Sequence, residues 1–560
     1  NPSSVTMDAD TDYTLTTETG GALVNKMTLI KKGTGTLVVD TDNSYIGPTI
    51  IENGALQIGN GTSRGTLGQG PVTNNGALVI ARTGSLTLDD LLVGSGSLTN
   101  DASNTVTLSG TNRLSGPVTL NAGTLRIVNP EAKGASPAYI LNSSPNAQGT
   151  TTLSVGGGIT FGPETTIALL DASSDPDLRS SLRSLDATNT FNGPIVLSGT
   201  GNLQFWSDGP ADTSLFVVTT PLIDCPDYTG QLILRGNGNG LITSQLRLGR
   251  KVSKTDGGTW TITSTGNSWL QTDVAGGRLR MGAPNVFPAT ARVNVTTADA
   301  RLDLAGFDQQ IGTLTGVGVI ASSSTTADCT LTVHPDEPSL FNGTIRDATG
   351  GGTRKVGLTL AGGTLTLGGD NIYTGDTLIQ AGTLELLING AIGNSATIRL
   401  AAGATINVTL RTDTTLTVNP GQTLTGDGTF NITGNFANNG TVALKLNKAG
   451  NTLTSDRVNV SGALAYGGTL QLNVTASPAL AVGDAFQLFN AGDGYSGQFA
   501  AIVPDPGPGL SWDTSTLATD GVLRVAGGTE PPTSTNITVG MVDGNTLELT
   551  WPESHLGWLL

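Results

Sequence analysis

Apolar residues recur at every second position in short runs along most of the chain, and each run is closed by glycine, asparagine or proline. Leu56-Gln57-Ile58, Leu78-Val79-Ile80, Leu86-Thr87-Leu88, Val106-Thr107-Leu108, Val118-Thr119-Leu120 and Leu125-Arg126-Ile127 follow one another closely. A period of 2 over so few residues predicts short strands, each with one buried face. The spacing from Leu56 to Leu78, about 22 residues, suits one coil of a three-strand solenoid. The rhythm breaks over residues 129–186, which predicts an irregular insertion there. Within it, Asp175-Pro176-Asp177 reads as a helix cap followed by the first turn, and Leu178, Leu182 and Leu185 share a helical face. Residues 203–290 are less regular again and hold Trp206, Trp260 and Trp269.

A longer pattern contains these runs. Residues 371–386 read N-I-Y-T-G-D-T-L-I-Q-A-G-T-L-E-L. Asn371, Tyr373, Gly375 and Gly382 have counterparts at identical offsets in Asn43, Tyr45, Gly47 and Gly54. A further copy carries Asn112, Leu114, Gly116 and Gly123. The glycines are places where the chain turns with positive φ or brings backbones close together. The asparagine suits a turn and can stack from coil to coil. Such a unit is a structural corner followed by a strand, and a repeated unit decides the architecture. The expected fold is all-β: a right-handed parallel β-solenoid over residues 1–455, a C-terminal β cap over 456–527, and a Pro/Gly linker with a β-strand tail over 528–560. At about 22 residues per coil and about 4.8 Å of rise, residues 28–455 make roughly 19 coils and roughly 90 Å of rod.

Composition narrows the function. Of 560 residues, 78 are glycine, about twice the usual share. Lys and Arg number 28 against 44 Asp and Glu, a formal net charge of −16. With no basic run, a nucleic-acid partner is not expected. Two cysteines, Cys225 and Cys329, and two histidines, His334 and His555, are too few and too scattered for a zinc site. The cysteines are separated by about five coils, so no bridge between them is expected. No cofactor is expected. No apolar window is long enough for a membrane helix, and Asn1-Pro2-Ser3-Ser4 has no signal-peptide character. A processed chain, or a fragment of one, is therefore expected.

The units at 43–58 and 371–386 resemble the autotransporter-associated β-strand repeat, through Lys32, Gly35, Leu37, Val39, Asn43, Tyr45, Gly47, Thr49, Gly54 and Leu56, and again through Thr364, Leu365, Leu367, Gly369, Asn371, Tyr373, Gly375, Thr377, Gly382 and Leu384. Asp42 and Thr41 stand where that pattern has Ser-Gly. The resemblance implies a large exported bacterial passenger of the kind found in Verrucomicrobia, displayed on or released from the surface of a Gram-negative-type cell. It implies a non-enzymatic structural or adhesive role. The alternative weighed is a carbohydrate-active β-helix enzyme, a polysaccharide lyase or glycoside hydrolase. Its candidate carboxylates are Asp89 with Asp90, Asp171 with Asp175, and Asp336 with Glu337 beside His334. Acidic residues at turns are more simply explained by bonding to the backbone.

Partners follow from the ends. A solenoid end is a row of unpaired N–H and C=O groups. The tail carries Leu547, Leu549, Trp551 and Trp558 without a core of its own, and is expected to pack on its own cap or on a neighbouring copy, with Trp551 buried. Self-association into an oligomer or head-to-tail filament is the expected partnership, with a surface polysaccharide as a second class.

Overall fold

The computed structural model describes residues 2–143, 150–171, 179–528, 538–544 and 546–550. The chain divides into two compact units: Asn1–Ile398 with Thr409–Thr412, and Arg399–Val408 with Asp413–Leu560.

The first unit is a parallel β-solenoid. Strands inside each sheet pair with the strand one coil before and one coil after. The register from Leu37 runs through Leu56, Leu78, Leu98, Val118, Tyr139 and Ile167 to Ile195. All eight are buried, so like residues stack on like along the axis. The coils are shortest near the start, from Leu37 to Leu56 and from Leu78 to Leu98, with a slightly longer one between Leu56 and Leu78. They are longest from Tyr139 to Ile167 and from Ile167 to Ile195. Each coil contributes strands to more than one face, as Thr28–Lys32 and Thr36–Val39 do in the first full coil. Alternation explains why so few apolar residues suffice: in Ala55–Ile58 and Ala77–Ile80 every second side chain is inside.

Residues 129–186 correct one expectation. They carry strands Ala138–Ser143, Thr151–Val155, Thr160–Phe161, Thr166–Asp171 and Arg179–Ser184, paired in parallel with the coils on either side. The helix expected across Leu178, Leu182 and Leu185 is instead a strand over Arg179–Ser184. The expected cap at 175–177, and Leu178, fall outside the described residues. Leu182 is buried between Leu153 and Phe205 in the ladder. Cross-coil pairing on both edges outweighs a helical spacing of three leucines, because helices in water depend on tertiary packing of the apolar face.

An aromatic column fills the first unit's middle coils. Tyr139 meets Phe161 edge-on at 5.3 Å, Phe161 stacks on Phe191 at 5.2 Å, and Phe191 stacks on Phe216 at 4.8 Å. Trp260 closes it against Phe216 and Phe205 at 5.3 and 6.5 Å.

The second unit repeats the arrangement. Thr405–Asn407, Thr429–Thr433, Arg457–Val460 and Phe489–Ala491 form one parallel ladder. Thr415–Val418, Asn435–Asn438, Leu464–Tyr466 and Tyr495–Gly497 form a second. Parallel stacking thus continues to Ala501–Val503, past residue 456, where the cap was expected to begin. An antiparallel sheet of Ala485–Gln487, Val522–Gly527 and Leu510–Asp513 follows. Tyr466, Phe489, Tyr495 and Phe499 cluster beside it, and the Tyr466 hydroxyl donates to the Leu517 carbonyl at 3.0 Å.

Thr538–Val542 and Thr546–Thr550 form a hairpin whose only strand pairing among the described residues is its own. Val539, Met541 and Leu547 are exposed and Leu549 is half-buried. Trp551 and Trp558, expected in the tail's contact, lie outside the described residues.

Candidate functional site

The corners are built on one geometry. Tyr45 is fully buried, and its hydroxyl bonds Thr49 Oγ1 at 2.6 Å. Tyr373 and Thr377 Oγ1 repeat this at 2.6 Å. A buried phenol needs a partner, and the threonine at the far side of the turn supplies it. Burial raises the pKa of both tyrosines. In the copy at Asn112 the pair is replaced as a pair: Leu114 and Val118, both buried, need no hydrogen bond. Tyr373→Phe is expected to cost about 1 kcal/mol. Thr377 retains Ser395 as a partner at 3.0 Å, so urea unfolding should shift slightly and without loss of cooperativity.

The corner asparagines tie coils together. Asn43 Oδ1 accepts from the Leu23 amide at 2.8 Å, while Nδ2 donates to Thr41 at 3.1 Å and to Thr66 at 2.8 Å. One side chain thereby satisfies backbone groups in its own coil, the coil before and the coil after. Asn371 accepts from the Ile345 amide and donates to the Gly369 carbonyl. Asn112 accepts from Leu114 and donates to Ala132.

The glycines are required by close approach. A Cβ on Gly47, Gly116 or Gly375 would lie 2.0, 2.1 or 2.3 Å from a carbonyl oxygen one coil away. Gly54, Gly123 and Gly382 add φ of +65°, +71° and +82°.

A fourth corner escapes the offset pattern. Asn267 Oδ1 accepts from the Leu246 amide, and Nδ2 donates to Ser264 and Val286. Trp269 Nε1 donates to Thr272 Oγ1 at 2.8 Å, taking the tyrosine's part. The interval from Asn267 to Gly277 is shorter by a single position than that from Asn43 to Gly54, and this deletion hides the copy. Aligning on the glycine and the following Leu279 and Met281 would have exposed it.

Lysine is the other residue missed. Lys31, not Lys32, is the buried one: its ammonium donates to the carbonyls of Lys32, Gly33 and Asn53. Lys32 stands outside and pairs with Glu52 at 3.5 Å. Lys254 repeats the arrangement on Thr255, Asp256 and Gly276. Both stand at the same offset before the leucine that follows their glycine, Leu56 and Leu279. Burial lowers the pKa of both, that of Lys254 to about 8. Between that value and the unfolded value of about 10.4 the unfolded chain binds the extra proton, so this group's contribution to stability rises with pH across the window. Lys254→Met should abolish that rise. The difference between parent and variant across pH 8–10.5 is expected to reach about 3 kcal/mol, read from denaturant titrations.

Asp89 and Asp90 line a cleft of about 240 Å³ with Asn43, Thr66, Gln69 and several leucines. Asp90 has a raised pKa, from burial first and Asp89 second. Asp171 ends a strand, and Asp175 lies outside the described residues. His334, Asp336 and Glu337 are exposed, and Glu337 pairs with Arg292 at 2.5 Å. Among the described residues no group of three His, Cys, Asp or Glu could hold a metal, and no helix is long and apolar enough to cross a membrane. Cys225 and Cys329 are both free and buried. Cys225 Sγ accepts from the Leu197 amide at 3.2 Å.

Four stretches, 29–58, 103–127, 252–281 and 362–386, match the passenger-associated-transport repeat. These include the corners at Tyr45, Leu114 and Tyr373 and the shortened one at Trp269. The chain is also 28% identical, over 86% of its length, to the adhesin BmaC autotransporter of Brucella suis biovar 1 (strain 1330). It spans 16% of that protein. The repeats, and the parallel coils they build, are similar to those of autotransporter passengers.

Proposed function

We propose that this chain is part of an extracellular, non-enzymatic adhesive passenger of a Gram-negative-type bacterium, a stack of coils that presents binding surfaces away from the cell. The similarity to an autotransporter adhesin over 86% of the chain carries this reading. The corners support it, because their buried polar groups are engaged with the backbone of their own and neighbouring coils. Beads coated with the purified chain should attach to epithelial monolayers more than beads coated with a size-matched inert protein. Equal attachment would refute the adhesive role.

Self-association is the finer part of the proposal. Val539, Met541 and Leu547 give the C-terminal hairpin exposed apolar surface, and a hairpin edge can add to another sheet. In sedimentation the full chain should run as an oligomer, and deletion of residues 530–560 should leave a monomer. An unchanged distribution would remove the tail from assembly.

A further inference from the structure

Arginines distant in sequence converge on the outer side of one sheet in the first unit. Arg278–Met281, Arg301–Asp303, Val319–Ser322 and Thr344–Ala348 are consecutive parallel strands. Leu279, Leu302, Ile320 and Ile345 form its buried row. Alternation therefore turns Arg278, Arg280, Arg301 and Arg346 outward. Arg278 is registered directly against Arg301, a pairing of like charges that sheets disfavour. Arg346 sits in a bulge, where it and Asp347 together face Ala321. Bulges are over-represented beside functional sites, where they re-aim a side chain.

These guanidiniums are short of partners. Asp303 is fully buried beside two of them, with Oδ2 at 3.6 Å from Arg278 Nη1 and 3.9 Å from Arg280 Nε, while Oδ1 accepts from the Ala305 and Ser323 amides. Among the described residues Oδ2 has no hydrogen-bond partner, and neither does the buried Arg346 Nε. Arg301 Nη1 reaches the Thr349 hydroxyl at 3.5 Å. The other aspartate on these strands, Asp347, is turned to the Val356 and Thr374 amides and the Thr374 hydroxyl. Of the four cations, Arg278 and Arg280 share one carboxylate, and among the described residues no ion pair joins Arg301 or Arg346 to it, in a chain whose net charge is −16. A glycine-rich turn borders them: a Cβ on Gly350 would lie 2.9 Å from Arg278 Nη2.

We propose that this face binds an anionic glycan, a chain bearing sulfate or carboxylate groups laid along the coil axis. Guanidinium forks suit such oxyanions. The arginines stand on the first, second and fourth of four successive strands at about 4.8 Å each, roughly 15 Å end to end, more than one small oxyanion can bridge and matched to a linear polyanion. A single-stranded nucleic acid fits less well, since the four strands present no outward aromatic platform for bases.

The proposal does not depend on the adhesive reading, and its test uses no cells. Dextran sulfate, neutral dextran, inorganic sulfate and an oligonucleotide of equal charge are titrated by calorimetry at low and physiological salt. Dextran sulfate should bind, weaken with salt and outcompete the other three. The outward substitutions Arg301→Gln and Arg346→Gln together should weaken binding at least tenfold, whereas Arg292→Gln, on a different sheet and paired with Glu337, should not. On the unaltered protein, dextran sulfate should protect Arg301 and Arg346 from phenylglyoxal, read by mass spectrometry. This second readout holds even if the double variant folds poorly. Lack of binding, absence of protection, an unaffected double variant, equal competition by inorganic sulfate, or tighter binding of the oligonucleotide would each overturn the proposal.

Discussion

Gly382→Val is expected to lower stability by about 4 kcal/mol, the largest effect of any single corner substitution. Two costs combine at this position. Its φ of +82° is strained for any residue with a Cβ, and a Cβ there would lie 2.1 Å from the Gly363 carbonyl oxygen of the preceding coil. The two can be separated. Gly403 has φ +78° with nothing within 4 Å, so Gly403→Ala meets the strain alone and should cost about 1 kcal/mol. Gly375 lacks positive φ, but its Cβ would meet the Val356 oxygen at 2.3 Å. Gly375→Ala therefore reports crowding alone and should fall between the other two. Calorimetric melting of the three variants checks the order. A Gly382→Val chain that melts like its parent would mean that the coils do not approach as described.

Trp260→Ala is the second large effect, at about 4 kcal/mol. The indole is fully buried at the end of the aromatic column, and Nε1 donates to the Arg235 carbonyl at 3.1 Å. Removal leaves a cavity facing Phe216 and Phe205 and strips that carbonyl of its partner. Gly240 lies in register beside Trp260, and a Cβ there would sit 2.3 Å from the indole. This gives the prediction a distinctive signature. Gly240→Ala should destabilise the parent chain but cost much less when Trp260 is already alanine. Equal costs in both backgrounds, measured in a double-mutant cycle, would show that the ring is not packed on Gly240.

These two positions also show what sequence reading could reach. The Gly382 corner was legible because its Asn, Tyr and Gly recur at fixed offsets, and the spacing is a local property of one coil. The strands were legible for the same reason, since a period of 2 needs no tertiary information. Trp260 was visible only as a tryptophan in an irregular stretch, because its partners Phe205 and Phe216 belong to other coils. The repeat pattern is matched at Lys32, and only the turn above shows that Lys31 is the enclosed ammonium. The leucines at 178, 182 and 185 suggest a helix because their spacings of four and three match one helical face. The arginine face was least legible: Arg278 and Arg301 belong to different coils, and only the exact coil length sets them side by side.

The stacking register is the claim on which the rest stands, and a disulfide ladder tests it directly. Gln57 is registered with Val79, and Val79 with Thr99, all half-buried on alternating outward positions. With Cys225 and Cys329 both buried, Gln57→Cys with Val79→Cys should cross-link rapidly under mild oxidation, at about 4.8 Å between strands. Gln57→Cys with Thr99→Cys, two coils apart at about 9.6 Å, should remain reduced. The opposite pattern, or equal cross-linking of both pairs, would contradict the parallel in-register solenoid.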